Sequence, residues 1–143
     1  MIPRHLDIVV ILEWVLCLVL AGIFAAAAIP KILDPAAFAL SVHQYGVLPS
    51  FLANPVAIYL PWLEICCAAA LALVPAARPG ALWIVIFLLV VFAAALGVTV
   101  LRGETISCGC FGKNGEPSSG WPGILRNAGL AALALAALKT CRR

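Results

Sequence analysis

Residues 80–101 read GALWIVIFLLVVFAAALGVTVL, an uninterrupted apolar stretch without a single charged residue. As an α-helix rising about 1.5 Å per residue, this stretch is long enough to cross the roughly 30 Å hydrocarbon core of a bilayer. Three further apolar stretches of comparable length lie at about 6–29, 55–74 and 121–138. The sequence therefore predicts an all-α protein, a bundle of four transmembrane helices.

Composition supports the same fold class. The chain of 143 residues is 65% hydrophobic and 10% charged, with a mean hydropathy of +1.14, whereas soluble domains are about 45–50% apolar. Its length predicts a single integral membrane domain over residues 1–143, surrounded by membrane lipid. The net charge of +3 is small and scattered, so a nucleic acid partner is not expected.

The distribution of basic residues predicts the orientation. Four spans place both termini on one side of the membrane, and the link at 75–79 on that side is a tight turn without reactive groups. The terminal side carries slightly more positive charge, which favours the cytoplasm. The residues compared are Arg4, Arg78, Lys139, Arg142 and Arg143 against Lys31, Arg102, Lys113 and Arg126. We predict a multi-pass protein of the bacterial inner membrane with both termini cytoplasmic.

The first exoplasmic link contains a predicted short helix at the membrane interface. Asp34 followed by Pro35 is a helix start signal, with the aspartate as N-cap and the proline in the first turn. The helix should cover Ala36 to about His43, because Gly46 and Pro49 then interrupt it.

The second exoplasmic link, residues 102–120, carries a thiol pair. Residues 107–112 read SCGCFG, and Gly109 allows the backbone to bend so that the Cys108 and Cys110 sulfurs can approach each other. A disulfide across a single residue closes a very small ring and should be strained, which is typical of labile, catalytic disulfides. The pattern predicts redox chemistry or binding of a soft metal.

Four segments together resemble the methylamine utilisation protein MauE family, within the DoxX-like group of four-helix membrane proteins. They are GIFAAAAIPKILDP at 22–35, LPWLE at 60–64, CGCFG at 108–112 and LRN at 125–127. The resemblance implies thiol redox reactions at the membrane. It also implies a role beside a thioredoxin-like partner in maturing a disulfide-rich periplasmic dehydrogenase.

A carboxylate inside the second span needs a partner. Glu64 should lie roughly nine residues, or about 14 Å, into that helix, where an unpaired charge is costly. Arg126 in the fourth span is the expected counter-ion, and Lys31 is the alternative; both Glu64 and Arg126 match family motif positions. The pair would either fix helix register or exchange the protons that accompany thiol oxidation.

The other intramembrane groups are ambiguous. Glu13 near the inner end of the first span is explained by snorkelling to the interface, with Cys17 as a packing residue. Cys66 and Cys67 point about 100° apart on a helix, so they either pack in the core or form a thiol relay beneath the loop pair. Cys141 is expected to be an idle thiol.

The sequence is compatible with three functions. The favoured one is a thiol-disulfide oxidoreductase in which Cys108 and Cys110 exchange with a periplasmic thioredoxin-like protein, supporting maturation of an enzyme such as methylamine dehydrogenase. No definite cofactor or resident metal is indicated, and a quinone in the bundle is the candidate electron carrier. The alternatives are a transporter of mercury, copper or zinc through a thiol relay, and a non-catalytic assembly factor.

Overall fold

Five α-helices make up the part of the chain that the computed structural model describes, residues 4–103 and 121–142, and no strand occurs within these ranges. A 3₁₀ turn at Pro75–Ala77 joins the third helix to the fourth. The helices are α1 at Arg4–Leu33, α2 at Pro35–Tyr45, α3 at Ser50–Leu73, α4 at Arg78–Leu101 and α5 at Trp121–Cys141.

Four of these helices, α1, α3, α4 and α5, are long and apolar enough to cross a membrane. Large apolar side chains point outward from all four, among them Ile11, Leu18, Tyr59, Phe87 and Leu135. Outward-facing apolar side chains in such numbers are suited to a lipid environment. The predicted helical membrane bundle is confirmed.

Prolines lie inside the spans and do not end them. α3 begins at Ser50, five residues before the predicted start, and includes Pro55 and Pro61. α1 likewise continues through Pro30 to Leu33. Membrane helices tolerate proline because packed neighbours and local adjustments satisfy the carbonyls that proline leaves without a donor.

The short helix α2 forms for the reasons that the sequence predicts. The Asp34 side chain accepts a hydrogen bond from the Ala37 backbone N–H at 3.1 Å, and Pro35 occupies the first turn. At the other end Gly46 adopts the left-handed conformation (φ 60°), and its N–H donates to the His43 carbonyl at 3.1 Å. Both ends of α2 are therefore capped.

Small residues bring the helices close together. α1 packs against α3 and α5, α4 packs against α5 and α3, and α2 lies on α3. At most 1% of the surface is exposed at each of Ala28, Ala53, Ala57, Ala134 and Ala137. Such residues allow close backbone approach in membranes, where packing rather than hydrophobic burial holds helices together. Several charged side chains are nevertheless buried in this interior, and they define the site.

Candidate functional site

A buried ion pair joins α1 to α3. The Lys31 ammonium donates to both Glu64 carboxylate oxygens, at 2.7 Å and 2.9 Å, and each residue is only 2% exposed. Lys31 lies in the last turn of α1 and Glu64 on the buried face of α3. An ion pair in such surroundings is retained only with close geometry, because both charges have lost their hydration.

Two aromatic rings complete the surroundings of the lysine. The Lys31 Nζ lies 5.1 Å from the centroid of the Phe38 ring on α2 and 5.0 Å from that of Phe92 on α4. Both distances are within the range of cation–π attraction. Side chains from α2, α3 and α4 therefore fix one cation at the end of α1.

Arg126 lies beside this pair and lines the same cavity. The cavity of about 40 Å³ is bounded by Lys31, Glu64, Phe92, Arg126 and the buried amide of Asn127, with apolar side chains from α1, α4 and α5. Such a volume has room for about two water molecules. Glu64 accepts hydrogen bonds from Lys31, the alternative partner, and Arg126, the expected counter-ion, lines the cavity beside this carboxylate.

The thiol-bearing link is attached at this end of the bundle. It leaves the C-terminal end of α4 and re-enters at Trp121, the first residue of α5, one turn before Arg126. At its start, Arg102 donates from Nη1 to the Tyr45 carbonyl at the end of α2, at 3.4 Å. Cys108 and Cys110 themselves lie outside the described residues. The two helices that hold the ends of this link, α4 and α5, also contribute Phe92, Arg126 and Asn127 to the cavity beside the Lys31–Glu64 pair.

The two cysteines of α3 point in different directions. Cys67 is 2% exposed in the core, while Cys66 is exposed on the outer surface. Cys67, three residues beyond Glu64, is thus the one that shares its buried face. Over residues 4–103 and 121–142, no three His, Cys, Asp or Glu side chains converge to hold a metal ion.

A larger cavity of about 290 Å³ lies among α2, α3 and α4. Its lining is almost entirely apolar and includes the aromatic side chains of Phe38, Tyr45 and Phe92. An apolar space with aromatic faces is suited to an apolar ring such as that of the candidate quinone. Phe92 lines both this cavity and the smaller one beside the ion pair.

Comparison with known proteins assigns the family. Residues 9–140 match the family described as Methylamine utilisation protein MauE. The chain belongs to the MauE family. The resemblance noted in the sequence is therefore confirmed, and no solved structure matches the chain.

Several MauE proteins are similar over most of this chain. The Methylamine utilization protein MauE of Paracoccus denitrificans is 43% identical over 124 residues, which are 86% of this chain and 66% of the relative. That of Methylophilus methylotrophus is 42% identical over 120 residues, 82% of this chain and 63% of the relative. That of Methylorubrum extorquens is 40% identical over 110 residues, 76% and 59% respectively. This MauE-family chain thus spans less than two thirds of the length of each of these relatives.

A second ion pair lies at the opposite end of this MauE-family bundle. Arg78, at the start of α4, is 1% exposed and donates from Nη1 to Glu13 at 2.9 Å. Its Nε donates to the Leu71 carbonyl at 3.0 Å, and the guanidinium lies 3.8 Å from the centroid of the Trp14 ring. The interpretation of Glu13 as a snorkelling side chain was incomplete, because a buried arginine neutralises it.

The sequence interpretation counted Arg78 only among the charges of the terminal side and named no partner for Glu13. In the structure Arg78 follows the 3₁₀ turn at Pro75–Ala77 and is buried. A signal did exist: Glu13 lies inside an apolar stretch and requires a cation. Arg78 lies at the same end of the bundle as that carboxylate.

Proposed function

We propose that this chain is a membrane thiol-disulfide redox protein of methylamine utilisation. In this proposal Cys108 and Cys110 lie on the exoplasmic side of the bacterial inner membrane, with both termini cytoplasmic. The pair exchanges disulfides with a periplasmic thioredoxin-like protein and so supports maturation of a periplasmic enzyme such as methylamine dehydrogenase.

Two considerations support the pathway and the chemistry. The similar proteins from three organisms are all named for methylamine utilisation. The chain also keeps two thiols separated by one glycine in a polar link, a spacing that favours a strained and therefore exchangeable disulfide.

The observation that carries the proposal is the buried Lys31–Glu64 pair, in which Lys31 comes from the last turn of α1, the end of that helix that lies on the same side as the thiol link. Oxidation of two thiols to a disulfide releases two protons together with two electrons. The Glu64 carboxylate, beside the small cavity that Arg126 and Asn127 also line, can receive one of these protons, and the adjoining Lys31 ammonium stabilises the carboxylate whenever it is ionised.

The exchange itself proceeds through a mixed disulfide. The thiolate of one loop cysteine attacks a sulfur of the partner's disulfide, forming a new S–S bond and releasing a partner thiolate, which takes up a proton. The second loop thiol loses its proton and attacks the loop sulfur of the mixed disulfide. The partner leaves fully reduced, and Cys108 and Cys110 are left joined as a disulfide.

A quinone–quinol couple would complete the cycle in either direction. After the exchange above, the quinol would supply the two electrons and two protons that return the loop disulfide to the dithiol, and after the reverse exchange the quinone would accept them. The residues that would hold it are those of the apolar cavity among α2, α3 and α4, where Phe38 and Phe92 present ring faces. These same two rings flank the Lys31 ammonium.

Trapping of the mixed disulfide tests the proposal. Cys108→Ser or Cys110→Ser removes one thiol of the pair, so a mixed disulfide formed by the remaining one is not resolved. We expect a covalent complex with a thioredoxin-like protein on non-reducing gels after acid quenching, identified by mass spectrometry and lost on reduction.

The matched control is Cys66→Ser, which changes an exposed cysteine of α3. It should not accumulate the complex, because both loop thiols remain available to resolve it. If neither loop variant captures a partner and both retain full maturation of methylamine dehydrogenase, the redox proposal is refuted. The assembly-factor alternative would then take its place.

A further inference from the structure

Lys31 borders two different cavities. One is the small interior cavity that it shares with Glu64 and Arg126. The other, here called the outer cavity, has a volume of about 130 Å³ and lies between the junction of α1 with α2 and the middle of α3. Two residues of its lining, Ile58 and Trp62, are 54% and 57% exposed, so the outer cavity reaches the surface of the bundle.

Two backbone carbonyls at the outer cavity lack the usual helical hydrogen bond. A proline has no N–H, so the carbonyl four residues before it does not receive the α-helical hydrogen bond. Pro61 stands in this relation to Ala57 within α3, and Pro35 stands in it to Lys31 at the end of α1. All four residues line the outer cavity. Buried carbonyls require another donor, and the adjoining cavity makes water the expected one.

The Lys31 ammonium can bind the same water. It has three N–H donors, and two of them are directed at the Glu64 Oε1 and Oε2 atoms, at 2.7 Å and 2.9 Å. The third is available to water in the outer cavity, which Lys31 lines. This N–H and the two carbonyls offer water the number of polar partners that is typical of buried water sites.

We propose that Lys31 is a proton relay between Glu64 and water in the outer cavity, and that the carboxyl group exchanges protons with the aqueous side of the membrane by this path. The proposal rests on the function proposed above for the thiol protons that reach Glu64. A carboxyl group that has received a proton must lose it before it can receive another. Of the two residues of the ion pair, Lys31 is the one that lines the outer cavity.

Protonation of Glu64 favours the relay. It removes the negative charge that balances the buried ammonium, while the guanidinium of Arg126, which lines the interior cavity, remains as a like charge. An ammonium in such surroundings is more stable as the neutral amine. Lys31 gives one proton to a water molecule of the outer cavity, and its amine then takes the proton of the Glu64 carboxylic acid. One proton has left, and the pair is again ammonium and carboxylate.

Hydroxyl-radical footprinting tests for water in the outer cavity. Radicals produced from water by a short X-ray pulse oxidise the side chains in contact with that water, and mass spectrometry identifies them. In lipid nanodiscs we expect oxidation of Pro61, which is buried but lines the outer cavity. The matched control is Leu71, a buried residue of the same helix that lines neither cavity. Oxidation of Pro61 no greater than that of Leu71 would overturn the proposal, because no water would be present to accept the proton.

A conservative substitution separates proton transfer from charge pairing. Arginine keeps the positive charge and the donors opposite the carboxylate but does not release its proton, so Lys31→Arg should stop the relay. The reduced protein is mixed rapidly with ferricyanide, which accepts electrons and no protons, so the thiol protons are left to the protein and to water. Time-resolved infrared spectroscopy follows the carbonyl stretch of protonated Glu64, identified by its loss in Glu64→Gln.

This infrared band should rise in the parent and then decay as the proton leaves. In Lys31→Arg the decay should be slower by about a hundredfold, the lower end of what a positioned acid–base group contributes. Lys139→Arg, at an exposed lysine of α5, is the control and should decay as the parent does. Decay at the parent rate in Lys31→Arg would overturn the relay and leave the proposed redox function intact. Absence of the band from the parent would refute the transfer of thiol protons to Glu64, and the relay with it.

Discussion

Replacement of Glu64 by methionine should destabilise the bundle more than any other single change at the site. The variant leaves the Lys31 ammonium, 2% exposed, without the carboxylate 2.7 Å away. At an effective dielectric constant of about 20, the attraction between two unit charges at that distance is roughly 6 kcal/mol. Relief of the carboxylate's own desolvation offsets part of this, so the expected loss of unfolding free energy is about 3–5 kcal/mol.

The reciprocal change, Lys31→Met, should cost less. It leaves Glu64 in a cavity that Arg126 also lines, so a second cation is already close to the carboxylate. The double variant, with methionine at both positions, should be close to the parent in stability, because an apolar pair of similar volume is often as stable as a buried ion pair.

Unfolding by sodium dodecyl sulfate in mixed micelles, followed by circular dichroism, gives the three free-energy changes. A double-mutant cycle then isolates the interaction between the two side chains. If the double variant loses the sum of the two single losses, the side chains do not stabilise each other. The assignment of Lys31 as the partner of Glu64 would then be refuted.

Two further changes test other contacts. Gly46→Ala should destabilise the protein by about 1–2 kcal/mol, because the position has φ +60° and the new Cβ would lie 2.7 Å from Arg102 Nη1. Gly22→Ala, with no atom within 4 Å of the added carbon, is the control and should be neutral or stabilising in the same detergent unfolding assay. Arg78→Lys keeps the positive charge opposite Glu13 but loses the planar guanidinium, which stacks on the Trp14 ring and also donates a hydrogen bond to the Leu71 carbonyl. Its melting temperature should fall, and a value equal to that of the parent would show that these contacts contribute nothing.

Sequence patterns predicted the helices better than the side-chain contacts between those helices. Hydropathy located four spans because each needs a long apolar stretch whatever its neighbours, and Asp34 with Gly46 delimited α2 through local hydrogen bonds. The partner of Glu64 depends instead on which helix lies beside α3, and hydropathy carries no information about that order. The pairing of Arg78 with Glu13 was missed for a similar reason: a local turn signal does not reveal that the residue after the turn is buried.

Each of the two ion pairs includes one residue of α1, and the charge that α1 contributes is negative in one pair and positive in the other. α1 carries the acid Glu13 towards one end and the base Lys31 towards the other, 18 positions apart, or about 27 Å of helix. If α1 entered the bilayer upside down, Glu13 would face Glu64 and Lys31 would face Arg78, and both encounters would be repulsive in a medium that screens charge poorly. The positions of Glu13 and Lys31 therefore favour one orientation of α1 in the bundle, because only in that orientation are both ion pairs attractive.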